Sequence, residues 1–347
     1  MRLLILGTGS MAGAHANGFA EIPGVEVAGC ADVELARAEA FAKEHGIPEA
    51  WPSLAAAIDS GGYDAVTNAT PDPVHYPTTM EALAAGLHVL CEKPLATNAA
   101  DASDMTLLAE EKGVVNGVNL TYRNVSALQK ARQIVDEGRL GDIRHFEAAY
   151  LQSWLTQPAW GDWRTEERWL WRLSSEHGSM GALGDIGIHI FDFVTYAAGA
   201  DIAAIQAMLT TFPKAEGDQI GPYVLDANDS MTLTARLEGG ASGVIHATRF
   251  ASGHLNDLSL RIFGTKGGIE LTNAGDLGTL RLCEGNDLTT ATWREIPLEP
   301  VVTNYRRFAD AVQTGGRMTP DFRTALRLQR VIDAAHQEPH REFDVRG

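Results

Sequence analysis

The chain opens on four apolar residues, Leu3-Leu4-Ile5-Leu6, that run without a break into Gly7-Thr8-Gly9-Ser10-Met11-Ala12. A strand followed by G-x-G-x-x-A at the mouth of a helix leaves little choice about how this segment folds. Gly7 permits the tight turn, and Gly9 lets the backbone approach a pyrophosphate at the helix N-terminus, where N–H groups and the helix dipole favour anions. Ala12 is small enough for the helix to pack on the strand. Alone the motif is weak, because Gly-rich turns also simply join strands to helices. Asp32 raises its value by closing the next apolar run 23 residues after Gly9, near the acid that binds an adenosine ribose. An aspartate there also serves as a plain helix cap. Val33 and Glu34 offer nothing to hold a 2′-phosphate, and Glu34 would repel one, so NAD is favoured over NADP, with Arg37 the reservation.

Short apolar runs at residues 3–6, 25–28, 65–69, 88–91 and 114–118 alternate with Ala-rich stretches such as 35–45 and 78–85. Alternating β and α implies a parallel sheet covered on both faces. After about Arg123 the pattern changes. A helix over 126–137 leads to a strand over 143–151, an aromatic region and a short helix near 183–198. Strand candidates then follow in series at 231–237, 242–247, 258–263 and 268–271, which indicates a mostly antiparallel sheet. The length of 347 residues suits two domains. The expected fold is α/β: a doubly wound domain over residues 1–122 and an α+β domain over 123–347, completed by helices near 304–314 and 321–337.

Net charge narrows the partners. Lys plus Arg number 28 against 45 Asp plus Glu, 28 − 45 = −17, with no basic run, so nucleic acid and anionic membrane are poor partners. Cys30, Cys91 and Cys283 are widely separated, form no C-x-x-C pair and imply neither a disulfide framework nor a cysteine metal site. Four apolar residues before Gly7 fall short of the roughly 7–15 of an export signal, and no run approaches the roughly 18 of a membrane span. A cytoplasmic protein is expected.

Three further elements carry chemistry. Asn68-Ala69-Thr70-Pro71 ends one apolar run and Asp72-Pro73-Val74-His75 begins the next helix, at a strand end where ligands sit in open α/β sheets. Cys91-Glu92-Lys93-Pro94 lies at another strand end. A lysine is ordinarily a surface charge, but Lys93 ends a run that reads as buried and is held between Glu92 and the rigid Pro94. In the segment from Gly178 to Asp192, Asp185 and His189 are four apart and share one face of a helix. Such a carboxylate and imidazole can serve as orienter and general acid/base, or merely as a helix-stabilising pair, and His189 with Asp192 is a competing pair.

Together these elements resemble the Gfo/Idh/MocA family of NAD(P)-dependent oxidoreductases, the glucose–fructose oxidoreductase and inositol dehydrogenase group. The resemblance runs through the glycine turn and His15, Thr70-Pro71 with His75, Glu92-Lys93-Pro94, Asn119 to Arg123, and G-x-L-x-D-x-G-x-H from Gly181 to His189. It implies a Rossmann domain, a second domain with a large open sheet that commonly packs on another subunit, a homodimer or homotetramer, and a cis peptide before Pro94. The catalytic set it implies is Lys93, Asp185 and His189. His189 would take the hydroxyl proton of a sugar or polyol, Lys93 would stabilise the alkoxide and Asp185 would orient His189. Cofactor contacts would come from Gly7, Gly9, Ser10, Met11, Ala12, Asp32, Ala69, Thr70, Pro71, His75, Glu92, Lys93, Pro94 and Asn119. Gly178-Ser179-Met180-Gly181 departs from the consecutive glycines of many members.

Five of the seven tryptophans, Trp154, Trp160, Trp163, Trp169 and Trp171, fall within 18 residues. Sugars stack their C–H faces on such rings, while Gln152, Arg164 and Arg172 could bind hydroxyls; the alternative is that the rings fill a core or an interface. Residues 149–154 also resemble the corresponding strand of levoglucosan- and glucoside-oxidising members. Tyr122, Arg123, Tyr150, Gln152, Trp154, Trp163 and Arg164, with Asp185 and His189, are therefore the candidate substrate contacts. A dehydrogenase of a neutral sugar, glycoside or inositol leads. An NAD-dependent glycosidase with transient oxidation and an idle nucleotide-binding regulator are the alternatives.

Overall fold

The computed structural model describes residues 1–337. They divide into two compact units: Met1–Thr121 with Val302–Arg330, and Tyr122–Val301 with the residues after Arg330.

In the first unit, strands β1 (Arg2–Leu6), β2 (Glu26–Ala31), β3 (Glu49–Trp51), β4 (Ala65–Asn68), β5 (His88–Cys91) and β6 (Asn116–Val118) form one parallel sheet in the order β3-β2-β1-β4-β5-β6. Helices α1 (Ser10–Ala20), α2 (Leu35–His45), α3 (Leu54–Ser60), α4 (His75–Ala84) and α5 (Ala99–Lys112) connect them. Leu3 to Leu6 are all buried, as a strand covered on both faces requires. Ile5 packs with Ala12, Ala16, Ala38 and Phe41, and Leu3 packs with Phe19 in a second cluster. The strand order reverses between β1 and β4, which places the ligand crevice at their carboxyl ends. Strand β3, three half-buried residues, is too short to show any periodicity in the sequence.

The second unit begins with α6 (Ser126–Asp136), β7 (Ile143–Gln152) and a short α7 (Glu167–Leu170). A π-helical turn, Leu183–Gly187, then leads into α8 (Ile188–Ala198). Next come β8 (Ile202–Thr210), a small hairpin of β9 (Gln219–Ile220) and β10 (Tyr223–Val224), then β11 (Ser230–Leu237), β12 (Ser242–Thr248), β13 (Asn256–Gly264), β14 (Gly267–Thr272), β15 (Thr279–Glu284) and β16 (Arg294–Glu295). Eight strands join in the order β16-β15-β14-β13-β7-β12-β11-β8, antiparallel throughout except for the parallel β7/β12 pair. Strands β11 and β12 alternate strictly between buried and exposed side chains, the signature of a sheet with one face covered and one open. Helices α6 and α8 pack on this sheet.

One boundary differs from the sequence expectation. By their position in the chain, helices α9 (Asn304–Thr314) and α10 (Phe322–Gln337) are expected in the second domain, yet α9, and α10 as far as Arg330, belong to the first unit. The reason is packing: Phe308, Ala309, Ala311 and Met318 close the core around Leu3, Phe19 and Leu90. The last ten residues of the expected second domain lie outside the described residues.

Candidate active site

The glycine turn is shaped to receive an anion. Gly7 has φ +82°, and a Cβ on it would lie 2.9 Å from the carbonyl oxygen of Ala69, so both its conformation and its close approach to the next strand require glycine. A Cβ at Gly9 would meet no atom within 4 Å, which leaves space in front of the α1 N-terminus. Among the described residues no side chain caps α1 at Gly9, and Ser10 and Met11 are exposed while Ala12 is fully buried. At the end of β2, Asp32 accepts from the backbone N–H and hydroxyl of Thr8 at 3.0 and 2.7 Å and from the Glu34 N–H at 3.1 Å. Burial opposes its charge, but these hydrogen bonds and Arg37 outweigh burial and hold its pKa below the usual carboxylate value. The guanidinium of Arg37, half exposed, lies 3.6 Å from Asp32 and 3.7 Å from Glu34, between two carboxylates that would repel a 2′-phosphate. A turn open at Gly9, an uncapped helix and an ionised Asp32 together fit a dinucleotide with a free ribose hydroxyl.

The loops at the ends of β4 and β5 are tied down from beneath. Asn68 Oδ1 accepts from the Thr70 N–H and hydroxyl, at 3.2 and 2.7 Å, and so fixes the loop that follows β4. His75, expected to touch the cofactor, is instead wholly buried, its Nδ1 2.7 Å from the Pro94 carbonyl and its Nε2 2.8 Å from the Thr70 carbonyl. Burial disfavours its charged form, yet the Cys91 sulfur, Asp72 and the Pro94 carbonyl prevail and carry its pKa up to about 10. Two carbonyl oxygens are satisfied only when both ring nitrogens carry protons.

Glu92 and Asn119 are likewise buried rather than presented to a ligand. Glu92 Oε1 accepts from His15 Nε2 at 2.8 Å and from Asn119 Nδ2 at 2.7 Å, while its Oε2 accepts from the Lys93 N–H at 3.2 Å. Burial would raise its pKa, but His15, Asn119 and Lys93 bring it down to about 2. Lys93 thus stands on a backbone fixed by its neighbours, and the Lys93-Pro94 peptide is cis.

In the second unit, Asp185 and His189 flank the junction of the π-helical turn and α8, so the helix on which they share a face is locally wider than an α-helix. Single π turns recur at functional sites. Gly181 starts it at φ +66°, with a Cβ there only 2.5 Å from the Asn228 carbonyl oxygen. Asn228 holds the start of the turn: its carbonyl accepts from the Ala182 N–H at 2.7 Å and its Oδ1 from the Leu183 N–H at 2.9 Å. Asp185 Oδ2 accepts from Arg249 Nη2 at 3.0 Å. The His189 ring meets Tyr122 edge to face at 5.0 Å between centroids and Tyr150 at 6.4 Å.

Around those rings runs a network of neutral hydrogen-bonding groups. The hydroxyls of Tyr122 and Tyr150 are 2.7 Å apart, Asn256 Oδ1 accepts from Gln152 Nε2 at 2.8 Å, and Trp154 Nε1 donates to Gln152 Oε1 at 3.2 Å. Burial pushes the Tyr150 phenol well above its ordinary pKa, and its contact with Tyr122 adds to the effect, so at neutral pH it is a neutral donor and not a base. No spacing in the sequence singles out Asn228, Arg249 or Asn256, because each comes to the site from a strand end that differs from other strand ends only in where the sheet puts it.

Three expected substrate contacts are otherwise engaged. The Arg123 guanidinium is buried, donates twice to Asp192 at 2.6 Å, and stacks 3.8 Å from the centroid of Tyr196. This also removes Asp192 as the partner of His189. Trp163 is 2% exposed in an apolar cluster with Trp154, Leu155, Leu170, Leu173 and Leu225, with its N–H donated to the Leu155 carbonyl. Arg164 is exposed, lies over the Trp163 ring and faces Asp162 at 3.6 Å. Among the described residues no group of His, Cys, Asp and Glu forms a metal site, and no helix is long and apolar enough to cross a membrane.

Residues 1–120 match the family model for an oxidoreductase family NAD-binding Rossmann fold, and residues 128–270 match the GFO/IDH/MocA C-terminal domain. Levoglucosan dehydrogenase of Pseudarthrobacter phenanthrenivorans is 31% identical over 76% of this chain and 72% of that protein. D-glucoside 3-dehydrogenase of Escherichia coli is 32% identical over 57% of this chain and 54% of that protein. A structure of levoglucosan dehydrogenase with NADH and levoglucosan superposes with a TM-score of 0.85 at 25% identity, covering 97% of this chain and 96% of the other.

Proposed function

Because the chain belongs to the Gfo/Idh/MocA family of NAD-binding oxidoreductases, we propose that it oxidises or reduces a carbinol carbon of a neutral sugar, glycoside or inositol. The observation that carries the substrate class is the network of Tyr122, Tyr150, Gln152 and Asn256 beside His189. Each of these side chains can donate and accept, as a ring of hydroxyls demands. Two cations of this unit are paired with carboxylates, Arg123 with Asp192 and Arg249 with Asp185, which makes them poor ligands for a phosphorylated or acidic sugar. Levoglucosan, glucosides and inositols, named for relatives, are the first compounds to try.

Bound nicotinamide supplies the hydride acceptor or donor. The turn from Gly7 to Ala12 and Asp32 would hold the pyrophosphate and the ribose. An imidazole nitrogen of His189 takes the substrate hydroxyl proton as the alcohol is oxidised, and returns it in reduction. The Lys93 ammonium stabilises the developing alkoxide, and Asp185 orients the proton transfer. Tyr122, Tyr150 and Gln152 position the remaining hydroxyls. We further infer a cytoplasmic homo-oligomer: three buried free thiols suit a reducing compartment, and the open face of the eight-stranded sheet exposes Met208 and Val244.

The test is absorbance at 340 nm with NAD, and separately NADP, over levoglucosan, methyl and aryl glucosides, free sugars and inositols, with released aglycone followed in parallel. NADH formation with a neutral sugar is expected. Aglycone release without net NADH would move the protein to a glycosidase, and silence throughout would overturn the substrate class.

A further inference from the structure

Arg249 follows the last residue of β12 and is completely buried. Its guanidinium reaches three separate segments. Nη2 donates to Asp185 Oδ2 at 3.0 Å, Nη1 donates to the Arg172 carbonyl at 3.1 Å, and the group lies 5.0 Å from the centroid of the Trp154 ring. Its main chain is fixed as well: the N–H donates to the Asp229 carbonyl at 3.0 Å and the carbonyl accepts from the Leu155 N–H at 3.4 Å. Packing alone does not call for a charge here, because a buried cation is costly and an apolar side chain would fill the space at less expense. A planar guanidinium is suited to binding a carboxylate, a carbonyl and an aromatic ring at once.

We propose that Arg249 is a positioning residue for the reaction. It acts through its neighbours: it fixes the Asp185 carboxylate at the π-helical turn and ties the aromatic segment from Trp154 to Arg172 to that turn. An aspartate tethered at one oxygen loses the freedom to rotate away from its working position, and misplacement of a catalytic group by about 1 Å costs on the order of 10²-fold in rate. A lysine would keep the charge but could not serve all three contacts. The inference rests on the reading of Asp185 as part of the site.

The experiment is a double-mutant cycle on the full chain with Arg249→Met, Asp185→Asn and the pair. It uses saturating NAD and the sugar of the panel that turns over fastest, with tryptophan fluorescence and thermal unfolding to check folding. Arg249→Met is expected to lower kcat on the order of 10²-fold in the wild-type background and by less than about twofold in the Asp185→Asn background, since coupled residues do not add. Equal losses in both backgrounds would make Arg249 a purely structural residue. If Asp185→Asn keeps wild-type kcat, the reading of Asp185 fails first and the proposal falls with it, a result distinct from additivity. Should Arg249→Met not fold, Arg249→Lys takes its place in the cycle. A crystal structure of the folded Arg249 variant gives a readout free of turnover: an Asp185 carboxylate displaced by about 1 Å or more is expected, and an unmoved carboxylate overturns the proposal.

Discussion

His15 Nε2 donates to Glu92 Oε1 across 2.8 Å, with the imidazole fully enclosed and the carboxylate nearly so. The pair anchors α1, which carries the glycine turn, to the strand end that carries Lys93. Glu92 is held at a pKa of about 2, below its unfolded value of about 4.3. A depressed carboxylate contributes stability above its unfolded pKa and loses it as pH falls through the folded one. The pair should therefore weaken between about pH 4.5 and 2, by on the order of 3 kcal/mol. Urea unfolding of the wild type and Glu92→Gln at pH 6 and pH 3 checks this: the gap between them should narrow at pH 3, and a constant gap would refute the linkage.

His75 titrates in the opposite sense. Its pKa is raised to about 10 against about 6.5 in the unfolded chain, so its contribution is complete below pH 6.5 and disappears as pH rises through 10. Stability of the wild type relative to His75→Gln should shrink steadily between pH 7 and pH 10. Ring ¹⁵N shifts showing both nitrogens protonated at pH 8 would confirm the imidazolium directly, and a neutral ring at that pH would rule it out.

Asp32→Ala should weaken NAD binding by a factor on the order of 10 to 100, the worth of hydrogen bonds to a charged group, while NADP weakens far less. Titration calorimetry with both cofactors measures the ratio. Equal weakening would show that Asp32 serves only to hold Thr8 and the turn.

Lys93→Ala and His189→Ala should each lower turnover on the order of 10²-fold or more and leave the NAD dissociation constant nearly unchanged. Loss of cofactor affinity with intact turnover would remove both from their roles.

Trp163→Ala separates core from sugar site. Truncating a fully buried tryptophan costs about 3–5 kcal/mol, so its melting temperature should drop clearly with KM little altered, whereas Gln152→Ala should raise KM. A Trp163→Ala enzyme of normal stability and raised KM would return that ring to the substrate.

Much of this molecule is legible along the chain because its signals are local. The tight turn at Gly7, the strand-end Asp32, the apolar run over residues 3–6 and the strict alternation of β11 and β12 each follow from the backbone conformation of a few consecutive residues. The i, i+4 spacing of Asp185 and His189 is equally local. What only the tertiary structure decides is which charges are paired and buried. Arg123, Arg164 and Arg249 look alike as letters. The fold buries the first against Asp192, leaves the second in solvent, and brings the third, 64 residues away in sequence, onto Asp185. The same holds for α9, whose packing around Leu3 and Phe19 depends on a sheet completed more than 180 residues before it. Local geometry is set by neighbours in the chain; the pairing of a buried charge is set by desolvation and by whichever strand end the topology brings within 3 Å, and no stretch of sequence carries that information by itself.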